Sequence, residues 1–212
     1  MKSMAVVIDY QNVHMTAADV FLPNSPKEDA LISPLKFGQR LAAVKNASLQ
    51  DPNDYVRLAR VDVFRGLPLR EDPSEGYRRN QAQKYYWEQE SNGIVQVTLR
   101  PLKYKNEYID GKKRPIWSSA QEKGVDVLCA LTLCRLARSG NYDVVVLASR
   151  DTDLAPAVDE AYSYGMAKIE TVKWFSPTVK WTQGSIRTEH RIWTTSMNED
   201  DFRASLDTRT YQ

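Results

Sequence analysis

Residues 144–148 read Val144-Val145-Val146-Leu147-Ala148, with no polar side chain in the run. A strand that is apolar at every position has to be covered on both faces, as the central strands of a parallel sheet are. Ala5-Val6-Val7-Ile8 has the same character. Three more segments suit strands: residues 55–64, with Val56, Leu58, Val61 and Val63; residues 94–99, alternating Ile94, Gln96 and Thr98 with Val95, Val97 and Leu99; and residues 168–172. Helical stretches fall between them. Pro34 opens one, with Leu35, Phe37, Leu41, Ala42 and Val44 on one face and Asp51-Pro52-Asn53-Asp54 as its stop. Others run from Tyr77 to Ser91, from about Val125 to Ser139 before Gly140, and from about Leu154 to Tyr164 before Gly165. Strands alternating with helices predict an α/β chain with a mainly parallel central sheet and helices on both faces.

The 212 residues, 42% of them apolar, suffice for one sizeable core. Two cysteines, Cys129 and Cys134, exclude a disulfide scaffold. With only His14 and His190, a multi-histidine metal centre is excluded, and any metal chemistry has to run on carboxylates. The net charge of +2 excludes a histone-like binder but leaves local patches open. No signal-peptide core or membrane-length apolar run is present, so a cytoplasmic location is expected.

Acids stand where ligands bind in open parallel sheets, beyond the carboxyl ends of strands. The first strand runs into Asp9, with Asn12 three residues on; the fourth runs through Ser149 and Arg150 into Asp151-Thr152-Asp153. Asp126 opens the long helix in Lys123-Gly124-Val125-Asp126. Singly, each has an ordinary explanation: a helix cap for Asp151 or Asp153, a turn for Asp9 and Asn12, macrodipole complementarity for Asp126. Together, crowded carboxylates repel unless a cation neutralises them, and hard oxygen ligands select Mg²⁺ or Mn²⁺. Such a site can activate water against a phosphodiester.

Val6-Val7-Ile8-Asp9-Tyr10-Gln11-Asn12, Lys123-Gly124-Val125-Asp126 and Val144 through Leu154, taken in that order, resemble the NYN domain, a branch of the PIN-like ribonuclease fold. The resemblance spans about residues 4–173. It implies a three-layer α/β/α sandwich and metal-dependent cleavage of RNA. Carried over, Asp9, Asp126, Asp151 and Asp153 become an acidic site for Mg²⁺ or Mn²⁺, Asn12 orients the first acid or meets the phosphate, and Ser149 lines the pocket. The sequence departs from the family pattern at Arg150, where a small residue is usual, at Leu154 in place of Phe, and in Asp9-Tyr10-Gln11-Asn12.

Arg100, Lys103, Lys105, Lys112, Lys113 and Arg114 crowd one segment against only Glu107 and Asp110, with Tyr104, Tyr108 and Trp117 interleaved. Basic groups neutralise phosphates and aromatic faces stack on unpaired bases, so Lys103, Lys105, Lys112, Lys113, Arg114, Lys123 and Arg150 are the expected RNA contacts. A solvated hairpin around Asp110-Gly111 is the competing reading. Arg65, Arg70, Arg78 and Arg79, mixed with acids, read as a solvated face.

The expected protein is therefore a metal-dependent endoribonuclease acting on single-stranded or loop RNA. Residues 1–173 would form the nuclease domain, and residues 174–212 an extension packed on it. The alternative is a non-catalytic RNA-binding or scaffold module on the same fold. An Asp-x-Asp glycosyltransferase or a haloacid-dehalogenase-type phosphatase would use Asp151 and Asp153 but leaves Asp9, Asn12, Lys123 and Asp126 unexplained.

Overall fold

The computed structural model describes residues 1–211. The chain opens with β1 (Lys2–Asp9) and α1 (Tyr10–Phe21), followed by α2 (Pro34–Ala47), β2 (Val56–Leu67), α3 (Gly76–Glu90) and β3 (Val95–Pro101). A hairpin of β4 (Asn106–Ile109) and β5 (Lys112–Pro115) precedes α4 (Val125–Ala137). The remainder is β6 (Val144–Ala148), α5 (Ala155–Ser163), β7 (Lys168–Trp174), β8 (Trp193–Met197) and α6 (Glu199–Ser205).

Six strands form one sheet in the order β3-β2-β1-β6-β7-β8, every neighbouring pair parallel. Alternate residues of the apolar runs serve two cores. Met4, Val6, Ile8, Val144 and Val146 pack with residues of α1, α2, α3 and α6. Ala5, Val7, Val145 and Leu147 pack against α4 and α5. Covering both faces removes polar positions from the central strands, which explains their all-apolar sequence. The layers are α/β/α, as expected.

Two elements have no counterpart in the sequence reading. The first is α1, which follows β1 without a break and buries Tyr10, Val13, Ala17, Ala18 and Val20. The second is β8, which brings residues beyond 174 into the sheet as an edge strand on β7. After it, Asn198 caps α6 in a reciprocal capping box with Asp201.

Tyr10 pins the start of α1. Its hydroxyl donates to the Ile32 carbonyl at 2.8 Å and accepts the Ile32 N–H at 3.2 Å, all buried. Tyr10→Phe strands both backbone groups and should lower stability by about 1–3 kcal/mol, read as a fall in the urea midpoint with an unchanged slope.

Candidate active site

The sheet order reverses between β1 and β6, since β1 leads toward β2 and β3 while β6 leads toward β7 and β8. At such a switch point the two chain directions part and leave a crevice beyond the strands' carboxyl ends. Asp9 ends β1 there and caps α1, accepting the Asn12 N–H at 3.2 Å. Its other oxygen accepts the Ser149 hydroxyl at 3.1 Å. The Ser149 oxygen in turn accepts the Asp151 N–H at 3.1 Å, and Asn12 Oδ1 accepts the Arg150 N–H at 2.9 Å. These bonds weld the end of β1 to the loop after β6. Asn12 and Ser149 thus orient Asp9 and the loop, and Asp151 caps a short 3-10 turn by accepting the Asp153 N–H at 3.0 Å.

Neighbouring acids act on Asp9. Burial raises the Asp9 carboxyl above the usual range; the bonds from Asn12 and Ser149 pull it back, and Asp151 and Asp126 push it further up. Asp126 is exposed in the first turn of α4, behind Gly124 at φ 77°. That left-handed turn suits glycine, and a Cβ there would sit 3.1 Å from the Arg100 side chain. Asp153 is exposed, and its N–H is bonded to Asp151.

Glu122 is an acid that sequence reasoning missed. Its carboxylate accepts the Gly66 N–H at the end of β2. The Gln11 amide, its nitrogen turned to the carboxylate, donates to both oxygens at 3.0 and 2.8 Å. Burial raises Glu122 as well, with Asp9 adding to the shift. The buried Cys129 thiol is pushed up by burial first, then by Asp9, Asp126, Glu122 and Asp151. Asp9, Asp126, Glu122 and Asp151 are thus near enough to this thiol for their charges to act on it. Among the described residues no group of three or more His, Cys, Asp or Glu is drawn in to metal-ligand distance.

The basic residues divide by direction. Lys103, Lys105, Lys112, Lys113 and Arg114 are exposed on and beside the β4–β5 hairpin, which turns at Asp110-Gly111. Lys123 is exposed too, and its carbonyl accepts Arg100 Nε–H at 2.6 Å. Among the described residues no ion pair engages any of these side chains, or Arg150. Arg150 differs, turning its guanidinium onto backbone carbonyls of residues 181–184. Arg65 corrects the reading of a solvated face. It lies over the Tyr10 ring at 4.8 Å, is hydrogen-bonded to Gln83, and has its pKa lowered by burial. It helps line a cleft of about 550 Å³ with His14, Arg79 and the 206–211 segment.

A parallel α/β sheet with carboxylates at its switch point is compatible with several classes of phosphate-handling protein, PIN-like nucleases among them. The model for the NYN domain matches residues 3–173, and the chain belongs to that family, whose members are generally metal-dependent nucleases. No curated protein matches the chain in sequence. The crystal structure of a protein of unknown function from Vibrio parahaemolyticus is similar over 94% of each chain, with 16% identity and a TM-score of 0.47. No helix among the described residues is long and apolar enough to cross a membrane.

Proposed function

We propose that this chain is an endoribonuclease that hydrolyses single-stranded or loop RNA at the acid edge, with Mg²⁺ or Mn²⁺ as cofactor. What supports the reading is membership of the NYN family together with Asp9 at the switch point, bonded through Ser149 to the loop that bears Asp151, with the charges of Asp151 and Asp126 acting on its carboxyl. The donor set fits the cofactor: all are carboxylate oxygens, and neither histidine is among them. A hydrated cation needs only one or two carboxylates besides its own waters, as Mg²⁺ commonly does. Asp9 with Asp126 or Asp151 would hold it directly, and the remaining acids, Asp153 and Glu122 among them, would reach it through water. When bound, the cation would supply activation of water and neutralisation of charge on the scissile phosphate.

The chain's own groups do the rest. Asn12 and Ser149 hold Asp9 in a single orientation, so no side-chain reorganisation is needed on substrate binding. Lys103, Lys105, Lys112, Lys113, Arg114 and Lys123 offer unpaired cations to the phosphates that flank the cut. Residues 1–173 would carry the chemistry, and residues 174–212 would extend the same edge.

Incubation of unstructured RNA with Mg²⁺ or Mn²⁺, against a chelator control, tests the reading. Binding without cleavage would favour the scaffold alternative, and phosphate release from small monoesters would indicate a phosphatase. The hairpin provides a second check. Lys112→Glu with Lys113→Glu should weaken binding at low salt and flatten the plot of log affinity against log salt by about 0.7 for each phosphate left without its cation. A slope equal to that of the wild type would remove the hairpin from the RNA path.

A further inference from the structure

We infer that Trp181 is a stacking platform for an unpaired nucleobase, fixed at the rim of the acid edge by Arg150 and Lys173. The inference rests on the reading of a single-stranded RNA substrate and adds a binding subsite to it. Arg150 stands between Ser149, whose hydroxyl reaches Asp9, and Asp151. Its guanidinium donates to the Trp181 carbonyl at 2.6 Å, approaches the Gly184 and Thr182 carbonyls at 3.4 and 3.5 Å, and lies 5.3 Å from the centre of the Trp181 ring. Lys173, buried near the end of β7, donates to the Gln183 and Gly184 carbonyls at 2.5 and 3.0 Å. Thr182 is fully buried, and its hydroxyl oxygen accepts the Ser176 N–H at 3.0 Å.

Two cations are thus partly desolvated against carbonyls alone, with no carboxylate to offset the cost. Burial accordingly lowers the pKa of both. The backbone of this loop is thereby fixed, and the indole of Trp181 that it carries has the Arg150 guanidinium on its ring and remains 50% exposed. An aromatic ring with a guanidinium against it and a solvent-facing lysine next to it, here Lys180, matches how single-strand binders take a base and its phosphate. The loop rises from the carboxyl end of β7, the same edge that carries Asp9 and Ser149. A base on Trp181 is therefore one arginine side chain away from the loop bearing Asp151. The arrangement also gives Arg150 a task at a position where the family usually has a small residue.

The test measures binding of the full chain in chelator to a short labelled oligouridylate and to an abasic strand of equal length. Trp181→Ala should weaken oligouridylate binding about 5- to 150-fold, the range set by a single base stack. Trp181→Phe should restore most of the affinity, and Trp193→Ala, at a somewhat more exposed indole on the edge strand β8, should bind as the wild type does. The abasic strand should not distinguish Trp181→Ala from the wild type. Equal oligouridylate affinity of Trp181→Ala and wild type would overturn the platform while leaving the nuclease reading intact. So would a deficit of the same size on the abasic strand, which would mark a loop that has merely come loose. A wild type that neither binds nor cuts RNA would overturn both.

Discussion

Asp9→Asn should reduce metal-dependent RNA cleavage by at least about 100-fold in kcat, the scale of losing several kcal/mol of charge stabilisation, while the melting temperature stays at or above that of the wild type. The two halves of this expectation have separate causes. Asparagine keeps the shape and is itself a favoured helix cap, so its oxygen can still accept the Asn12 N–H that starts α1. Ser149 can accept from the new amide while still accepting the Asp151 N–H. The substitution also removes a buried negative charge that faces Asp151 and Asp126, so the fold loses a repulsion. What it cannot replace is the charge that a cation needs. Asp9→Ala, in contrast, should lose both activity and about 1 kcal/mol of capping. Gel-resolved cleavage of unstructured RNA with Mg²⁺ or Mn²⁺, alongside a thermal melt, checks both halves. Cleavage at the wild-type rate by a folded Asp9→Asn would place the chemistry elsewhere.

The second large effect lies away from the site. Lys45 of α2 pairs with Glu170 of β7 across the core on the α1–α2 side, with only 7% and 1% of the two side chains exposed. Lys168 reaches the same carboxylate at 2.9 Å but is 65% exposed, so its share is screened. Lys45→Met should therefore leave Glu170 a buried charge without its buried partner and cost about 3–5 kcal/mol. For a chain of this size that is a fall of roughly 6–20 °C in Tm. Replacing both partners, as Lys45→Met with Glu170→Leu, should return stability to about the wild-type level, because a well-packed apolar pair carries no desolvation penalty. Chemical denaturation of the two variants decides it. A double variant as unstable as the single one would mean that the pair is held by packing which methionine and leucine cannot reproduce.

Much of the architecture was legible because burial on both faces writes itself into the sequence. Val144 through Ala148 had to be a covered strand, and the alternation of such runs with helices implied a parallel sheet. An edge strand leaves no such mark. In β8 only Thr195 and Met197 are buried, and Trp193-Thr194-Thr195-Ser196-Met197 lacks an apolar run. Helix α1 was hidden for another reason: its buried set includes the small Ala17 and Ala18, and Asp9 at its cap reads equally well as a turn residue. A carboxylate ending one apolar run and followed within three residues by a possible helix is the signal that would have found it.

The same division runs through the site. Asp9 and Asp151 stood out as candidates because they follow the carboxyl ends of apolar strands, and Asp126 because it opens an apolar helix. Glu122 sits in a segment with no period of its own. It is brought to Gly66 only because Lys103 and Gln121 pair backbone to backbone, each N–H bonded to the other's carbonyl at 2.9 Å.

By itself, then, the sequence determined the layers of this protein and the parallel direction of its core strands, and it marked Asp9 and Asp151 as acids that follow strand ends. Those properties follow from local periodicity and from which residues end each run. The tertiary structure alone decided that Glu122 joins the acids, that Arg65 turns inward over Tyr10, and that Arg150 turns to the 181–184 carbonyls. A charged side chain takes its direction from whichever distant oxygens can satisfy its donors or its charge, and those oxygens come from segments tens of residues away in the chain.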